Sequence, residues 1–365
     1  MISYTTPAGK NIVTIGLDAT PLTVSTGGVA RYTLELSRAL ATHFPEHDYW
    51  LLSDQPFAAA DLPRLHAGTG PRSIAERKWW LWGVQQEMTR RRIDLFHGTD
   101  FSVPYLPLRP SVMTLHDLSP WLERSWQPQA SRIRRRTAIL LRTVIPTMVI
   151  TPSETVRRAA IERFALSADR VVAVPLAASG EFHPVEQAPS GTPYFLFVGT
   201  IEPRKNIARL IEAWREVRRS HLVDLVIAGR TRSDAAPIAP EAGLRLLGAV
   251  ADHDLPALYS GALALVYPSL YEGFGLPVLE AMQCGALVIT SRDPAIMEVA
   301  GDAALCLDVS DMKAIVAALS AVASRPQDFA SMRDRARSRA LEFSWKGTAQ
   351  RTIEVYETAR RIFRH

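Results

Sequence analysis

Cysteine is nearly absent: two occur in 365 residues, Cys284 and Cys306. Neither has metal-type spacing and both lie in apolar surroundings. That excludes a disulfide scaffold and a thiolate metal centre, and reads as small core residues in a reducing compartment. Long hydrophobic runs are also missing. The first apolar run, Ile12–Leu17, is too short for a secretory h-region and ends at Asp18. The best membrane-spanning candidate, Ala138–Ile150, is short and broken by Arg142 and Pro146. A cytoplasmic protein is expected, at most peripheral on the inner face of the cytoplasmic membrane. Strong charge of one sign is absent too. The formal net charge of +5 suits an anionic ligand or an anionic membrane surface and is too weak to imply nucleic acid. No acidic pair has metal-ligand spacing, and the glycines of the full dinucleotide fingerprint are missing, which disfavours a nicotinamide dehydrogenase.

What is present is the composition of a globular protein, 47% hydrophobic and 22% charged. The length favours two domains. Asn11–Leu17 reads as a buried strand, Asp18 to Gly28 as a loop holding Gly27 and Gly28, and Val29–Thr42 as a helix. Strand, glycine loop and helix open a nucleotide-type α/β unit, although a plain turn before a helix fits as well. Tyr49–Ser53, Ile93–His97, Ser111–Leu115, Met148–Ile150 and Val171–Val174 read as further strands. Ile74–Arg92, Gln129–Val144 and Glu154–Phe164 read as helices, the last with Ser153 as its N-cap. Trp79, Trp80 and Trp82 read as packing residues. Ala177–Pro193, rich in Pro and Gly, is the best linker. Beyond it the same grammar returns with strands Tyr194–Val198, Leu222–Ala228, Leu244–Leu247, Ala262–Val266 and Leu287–Thr290, and the chain ends in a helical pattern, Ser344–Arg364. The expected architecture is α/β: two Rossmann-like, doubly wound domains facing a central cleft. Residues 1–178 form the N-terminal, acceptor-side domain, 179–193 the linker, 194–343 the donor domain, and 344–365 a helix packing back towards the first domain.

The most informative stretch is Tyr267–Glu280, Y-P-S-L-Y-E-G-F-G-L-P-V-L-E. A buried strand leads into a glycine turn and a helix that starts near Pro277. Gly273 and Gly275 let backbone approach a ligand, and the first amides of a helix lack partners and carry partial positive charge. Glu272 and Glu280, with seven residues between them, would flank a phosphate at the turn, each free to accept hydrogen bonds from hydroxyls. A surface loop capped by an acidic helix start fits the same residues. The loop Gly199–Asn206 follows the strand Tyr194–Val198, so it opens on the same cleft edge and brings Arg204 and Lys205, which can neutralise a departing diphosphate. On the first domain, His97, His116 and Asp117 follow strands, where ligands of parallel sheets collect. For His97 a hydrogen-bonded structural role is the preferred reading. In the Gln129–Val144 helix, Arg132, Arg134, Arg135, Arg136 and Arg142 form either a solvated face or a patch for anionic lipid headgroups.

These motifs resemble a known family. E-G-F-G-L-P-V-L-E-A-M-Q-C-G is similar to the Glu-x7-Glu signature of retaining glycosyltransferases of family four, which have the GT-B fold. F-V-G-T-I-E-P-R-K-N resembles their donor-phosphate loop, T-L-H-D-L-S their histidine loop and T-G-G-V-A-R-Y their N-terminal glycine loop; T-P-S-E and G-D-A-A-L-C-L-D also match. The resemblance covers nearly the whole chain in order. It implies that Glu272 holds hydroxyls of the transferred sugar and that Glu280 binds the ribose. It implies that Lys205 with Arg204 binds the diphosphate, and that the Phe274, Gly275 and Leu276 amides, beside Gly273, contact sugar or phosphate. Gly28, next to Gly27, would approach the phosphate or acceptor; His116 would lie near sugar and acceptor; Asp117 would be a base or, preferably, structural. Many members have Arg directly after the glycine matching Gly199, where this chain has Thr200. No metal or cofactor is implied. The G-T-I-E-P-R-K-N variant looks most like bacterial mannosyltransferases of O-antigen or exopolysaccharide synthesis, which points to GDP-mannose as donor and a saccharide or lipid-linked oligosaccharide as acceptor. The competing readings are a UDP-sugar enzyme of the same fold, a sugar-nucleotide 2-epimerase, and a silent sugar-nucleotide binding subunit.

Overall fold

The computed structural model describes residues 12–23, 27–58, 62–68, 70, 73, 75–186 and 191–363. Asn11, the middle of the loop before Gly28, Ile74, Pro189 of the linker and Arg364 lie outside these residues. The first sheet contains β1 (Thr14–Asp18), β2 (Asp48–Leu52), β3 (Leu65–Ala67), β4 (Leu95–Gly98), β5 (Ser111–Thr114), β6 (Met148–Thr151) and β7 (Val171–Ala173). The second contains β8 (Tyr194–Val198), β9 (Asp224–Ala228), β10 (Leu244–Gly248), β11 (Ala264–Tyr267), β12 (Val288–Ser291) and β13 (Leu305–Leu307). Their orders are β3-β2-β1-β4-β5-β6-β7 and β10-β9-β8-β11-β12-β13, with neighbouring strands parallel. The central strands are apolar along their length because helices cover both faces; β8 reads YFLFV and β11 ALVY, and Phe195, Leu196, Phe197, Leu265 and Val266 are buried. Strand order reverses between β1 and β4 and again between β8 and β11. Crevices at the carboxyl ends of strands at such switch points are where doubly wound sheets hold ligands.

The expected helix Ile74–Arg92 is not one helix. A 3-10 turn at Ala75–Arg77 and a wide π turn at Trp79–Gly83 precede the α-helix Val84–Arg90. A Cβ on Gly83 would lie 2.2 Å from the Glu76 carbonyl oxygen, so the widened turn lets the chain fold back closely on itself there. Trp79 is buried and Trp80 half-buried, as packing residues should be, whereas Trp82 is 47% exposed. Cys284 is buried and Cys306 half-buried. The first described residues of the linker segment are packed rather than loose. Phe182 and Ala178 are buried, and Gln283 Nε2 donates to the Ser179 and Phe182 carbonyls at 2.9 and 2.7 Å. The last helix, Trp345–Phe363, returns to the first sheet and lies along the helix Gly28–His43. There Thr348 Oγ1 donates to the Pro175 carbonyl at 2.8 Å.

Candidate active site

The loops after β1, β5, β8 and β11 meet in a cavity of about 340 Å3. This volume is within the usual range of ligand pockets. Gly27, Gly28, His116, Asp117, Gly199, Thr200, Arg204, Lys205, Glu272, Gly273, Phe274, Gly275, Leu276 and Glu280 all line it, so every candidate site residue comes together. The floor is the helix Leu276–Gln283. Gly275 caps its start at φ 101°, a left-handed conformation that favours glycine, and Pro277 fits the first turn because it needs no hydrogen there. The Val278 and Leu279 amides turn back onto the Gly275 carbonyl, which leaves the helix's positive end facing the cavity. The start of Gly28–His43 reaches the cavity from the other side, and a Cβ on Gly28 would lie 4.0 Å from Leu276.

The two carboxylates are not free, contrary to the expectation. Glu272 is buried, pairs with Lys205 Nζ at 2.5 Å and Arg204 Nη1 at 3.0 Å, and accepts from Ser269 Oγ. Burial alone would raise its pKa; Arg204 and then Lys205 outweigh that and hold it down at about 2. Lys205 also donates to Tyr267 Oη at 2.6 Å and lies 4.8 Å from that ring's centre. Glu280 is buried at 1% exposure, accepts from Tyr259 Oη at 2.9 Å, and pairs with Arg31 of the opposite domain. A carboxylate this deep needs partners, since an unpaired buried charge costs several kcal/mol (roughly 3–5 when a partner is removed). On the first domain, His116 Nε2 lies 2.7 Å from the Thr99 carbonyl, which can only accept. Nε2 therefore carries a hydrogen and donates it there. Asp117 Oδ1 accepts from the Ser119 amide and hydroxyl at 2.9 and 2.8 Å, a local turn that fits its structural reading. His97 is buried between Tyr356 Oη and Thr114 Oγ1, each at 2.7 Å, and burial pushes its pKa down to about 3. It is a neutral structural residue. Among the described residues no group of three or more His, Cys, Asp or Glu is placed to hold a metal ion.

Residues 179–340 match the family model described as glycosyl transferases group 1, and residues 26–178 the model described as glycosyltransferase family 4. O-antigen chain mannosyltransferase B of Escherichia coli is 35% identical over 289 residues, covering 72% of this chain and 74% of that one. The chain belongs to the glycosyltransferases. MMP alpha-(1->4)-mannosyltransferase of Mycolicibacterium hassiacum is 29% identical to this glycosyltransferase over 54% of its chain and 50% of the relative. Among solved structures, sucrose-phosphate synthase from Thermosynechococcus elongatus aligns over 95% of this chain and 98% of its own, with a TM-score of 0.75 and 20% identity. HepE of Anabaena, solved with UDP-glucose, aligns over 95% and 100%, with a TM-score of 0.71 and 15% identity. These likenesses fix the fold as GT-B.

Around the cleft of this glycosyltransferase lie further contacts that its sequence did not single out. Arg31 bridges the cleft, reaching Glu280 and, at 2.5 Å, Asp252. A cation one turn into a helix opposes the helix dipole, and that local misfit is the signal that could have marked it. Tyr271 Oη accepts from the Leu118 amide at 2.8 Å, and its ring stacks on Trp126, centres 6.0 Å apart. Ser153 caps its helix as expected, accepting from the Val156 amide at 3.3 Å, and also donates to the Gly273 carbonyl at 2.7 Å. Glu298 accepts from the Glu154 and Thr155 amides at 2.8 and 2.7 Å, so the second domain caps a helix of the first. Asp293, which caps Pro294–Ala300, accepts from the Glu272 amide at 3.4 Å. Gly273 lies close against the first domain: a Cβ there would lie 2.0 Å from the His116 carbonyl oxygen.

Proposed function

We propose that this glycosyltransferase is a retaining mannosyltransferase that moves mannose from GDP-mannose to a saccharide or lipid-linked oligosaccharide in cell-surface polysaccharide synthesis. The observation that carries the reading is the convergence of Glu272, Glu280, Lys205 and one helix N-terminus on a single cavity at the second sheet's switch point. The mannose lean rests on the Escherichia coli and Mycolicibacterium relatives, whose names are mannosyltransferases. We take residues 1–178 as the acceptor-side domain, 179–193 as the linker, 194–343 as the donor domain and 344–365 as the returning helix. The family-model limits at 178 and 179 and the packing of Trp345–Phe363 against Gly28–His43 support that division.

In this reading the donor diphosphate lies at the start of Leu276–Gln283, where amides and helix dipole stabilise negative charge. Lys205 and Arg204 face it and stabilise the charge that develops as the sugar leaves. Glu272, kept ionised, accepts hydroxyls of the sugar, and Glu280 accepts ribose hydroxyls when Arg31 yields. His116 stands on the acceptor side with Gly27, Gly28 and Asp117. Thr200 supplies no charge, so Arg204 takes the part of the missing cation. The acceptor hydroxyl attacks the anomeric carbon on the face that the diphosphate leaves. The new C–O bond forms as the sugar–phosphate bond breaks, the hydroxyl proton passes to the leaving phosphate oxygen, and configuration is kept. No protein base is required, and no metal or cofactor is assigned a part. The deciding experiment is a panel of GDP- and UDP-sugars read by thermal shift and by release of nucleoside diphosphate. Selective stabilisation and turnover with one GDP-hexose are expected. A UDP-sugar preference would overturn the donor, and inversion at the anomeric carbon of the product would overturn the mechanism.

A further inference from the structure

Arg204 belongs to a chain of charges that leaves the donor cavity and ends on the other domain. Arg204 Nε lies 2.7 Å from Glu202 Oε1 as an ion pair without hydrogen-bond alignment, and Arg232 Nη1 donates to Glu202 Oε2 at 2.9 Å. Glu202 is 7% exposed, so this bridging carboxylate is shielded from water. Arg232 follows β9 and is steadied on its own domain by Asp234, 2.5 Å from Nε. Its remaining donors cross the cleft to the Trp126 carbonyl and, at 3.4 Å, the Ser125 carbonyl. A second path reaches the same place. Trp126 stacks on Tyr271, whose hydroxyl accepts from the Leu118 amide and whose carbonyl accepts from Arg204 Nη1 at 2.9 Å. Arg204 is thus tied to the first domain on both sides.

We propose that Glu202 and Arg232 are positioning residues that couple closure of the Ser125–Trp126 loop to the aim of Arg204 at the donor phosphates. A guanidinium is planar with donors in a fixed fork, so partners on one edge set the direction of the other. With the loop seated, the two carbonyls orient Arg232, Arg232 orients Glu202, and the charge of Glu202 beside Arg204 Nε favours the pose in which Arg204 Nη1 reaches Glu272. With the loop lifted, Arg232 keeps only partners of its own domain and the carboxylate can rotate. The arrangement explains how a chain with Thr200 after its glycine manages with one arginine: the remaining cation is locked at closure, when transfer takes place and water is excluded. The inference rests on the donor reading above.

The test uses the full-length protein with GDP, UDP and the preferred nucleotide sugar. Trp126 emission is isolated by comparison with Trp126→Phe. Nucleotide is expected to change that emission in the wild type. In Arg232→Ala the change should be lost, kcat should fall about tenfold to a hundredfold, and the calorimetric Kd for nucleoside diphosphate should stay within about threefold. Arg232→Lys should not restore kcat, because one ammonium cannot copy the fork. Glu202→Gln, which keeps the shape at that position, should show the same split and serves if Arg232→Ala does not fold. Wild-type kcat together with a preserved Trp126 response in either variant overturns the coupling while leaving the donor site standing. Failure of the wild type to bind either nucleotide overturns the donor reading and this inference with it.

Discussion

At the scale of single residues the site is a small ledger of buried charge. Glu272 faces two cations, so its ionised form persists to about pH 2, below its ordinary 4.5. A carboxylate depressed in the folded state adds stability above its unfolded pKa and loses it as pH falls through the folded one. Here that window runs from 4.5 to about 2. Glu272→Gln keeps the size but not the charge, so acid unfolding of the variant should be less steep in that window. Its transfer rate should fall by at least about a hundredfold, as should that of Lys205→Ala, if both groups meet the transition state as proposed. Circular dichroism melts and initial rates check both, and near-normal transfer by the two variants would remove the site assignment. Asp18, at the end of β1, shows the opposite sign. Burial raises its pKa from 3.8 to about 7. A carboxyl raised in this way leaves the fold unburdened below 3.8, and its cost grows as pH rises to about 7. Asp18→Asn can still accept from the Thr20 amide, which now lies 3.0 Å from Oδ1. It should melt with the wild type at pH 4 and above it at pH 8, by roughly 2–4 °C for each kcal/mol recovered.

At the scale of elements, strands and helix starts were legible because their signals are local. The apolar run of β11, the Gly275-Leu276-Pro277 turn and the Ser153 cap each announce themselves within a few residues. The same local grammar brought Lys205, Glu272 and Glu280 to one strand-end cavity. It failed at Ile74–Arg92, where the periodicity persists but the close approach of Gly83 to Glu76 comes from folding. It failed also for β3, which is only three residues long. Cross-cleft partners were illegible for a different reason. Arg31 and Glu280 are 249 residues apart, and only the folded chain puts them together. Gly273 illustrates the gap. In sequence it reads as backbone freedom for a ligand; in the fold it is also one of the places where the two domains touch. Gly273→Ala would drive a methyl into the His116 carbonyl, so it should hold the cleft ajar without unfolding either sheet. Transfer should drop by about tenfold or more, and small-angle scattering should show a larger radius of gyration than the wild type. A variant with unchanged radius and unchanged rate would mean that the contact is not needed for closure.

At the scale of the whole molecule, the question is how a protein in which no described helix is long and apolar enough to cross a membrane would meet a lipid-linked acceptor. The arginine helix, Ser131–Arg142, divides into two faces. Arg134 turns inward and donates to the Gln127 carbonyl at 2.8 Å, and Arg136 lies 5.8 Å from the Trp80 ring centre. Arg132, Arg135 and Arg142 are exposed, alongside Ile139 at 53% exposure, with Leu122 and Val144 also exposed nearby in sequence. The patch is therefore smaller than five arginines on one helix imply, but it mixes cations with apolar side chains as a headgroup-facing surface would. Each cation near an anionic bilayer adds about 1 kcal/mol, screened over roughly a Debye length. Reversing two of them changes the local charge by four. Arg132→Glu with Arg135→Glu should therefore weaken co-sedimentation with phosphatidylglycerol vesicles by at least about tenfold at low salt. The same vesicles should release the wild type at roughly 0.5 M salt, where screening shortens to a few ångströms. Turnover of a water-soluble saccharide acceptor should be unaffected, because both residues lie outside the donor cavity. Equal co-sedimentation of variant and wild type at low salt would make this face a solvated one, and the acceptor would then have to be met through another surface.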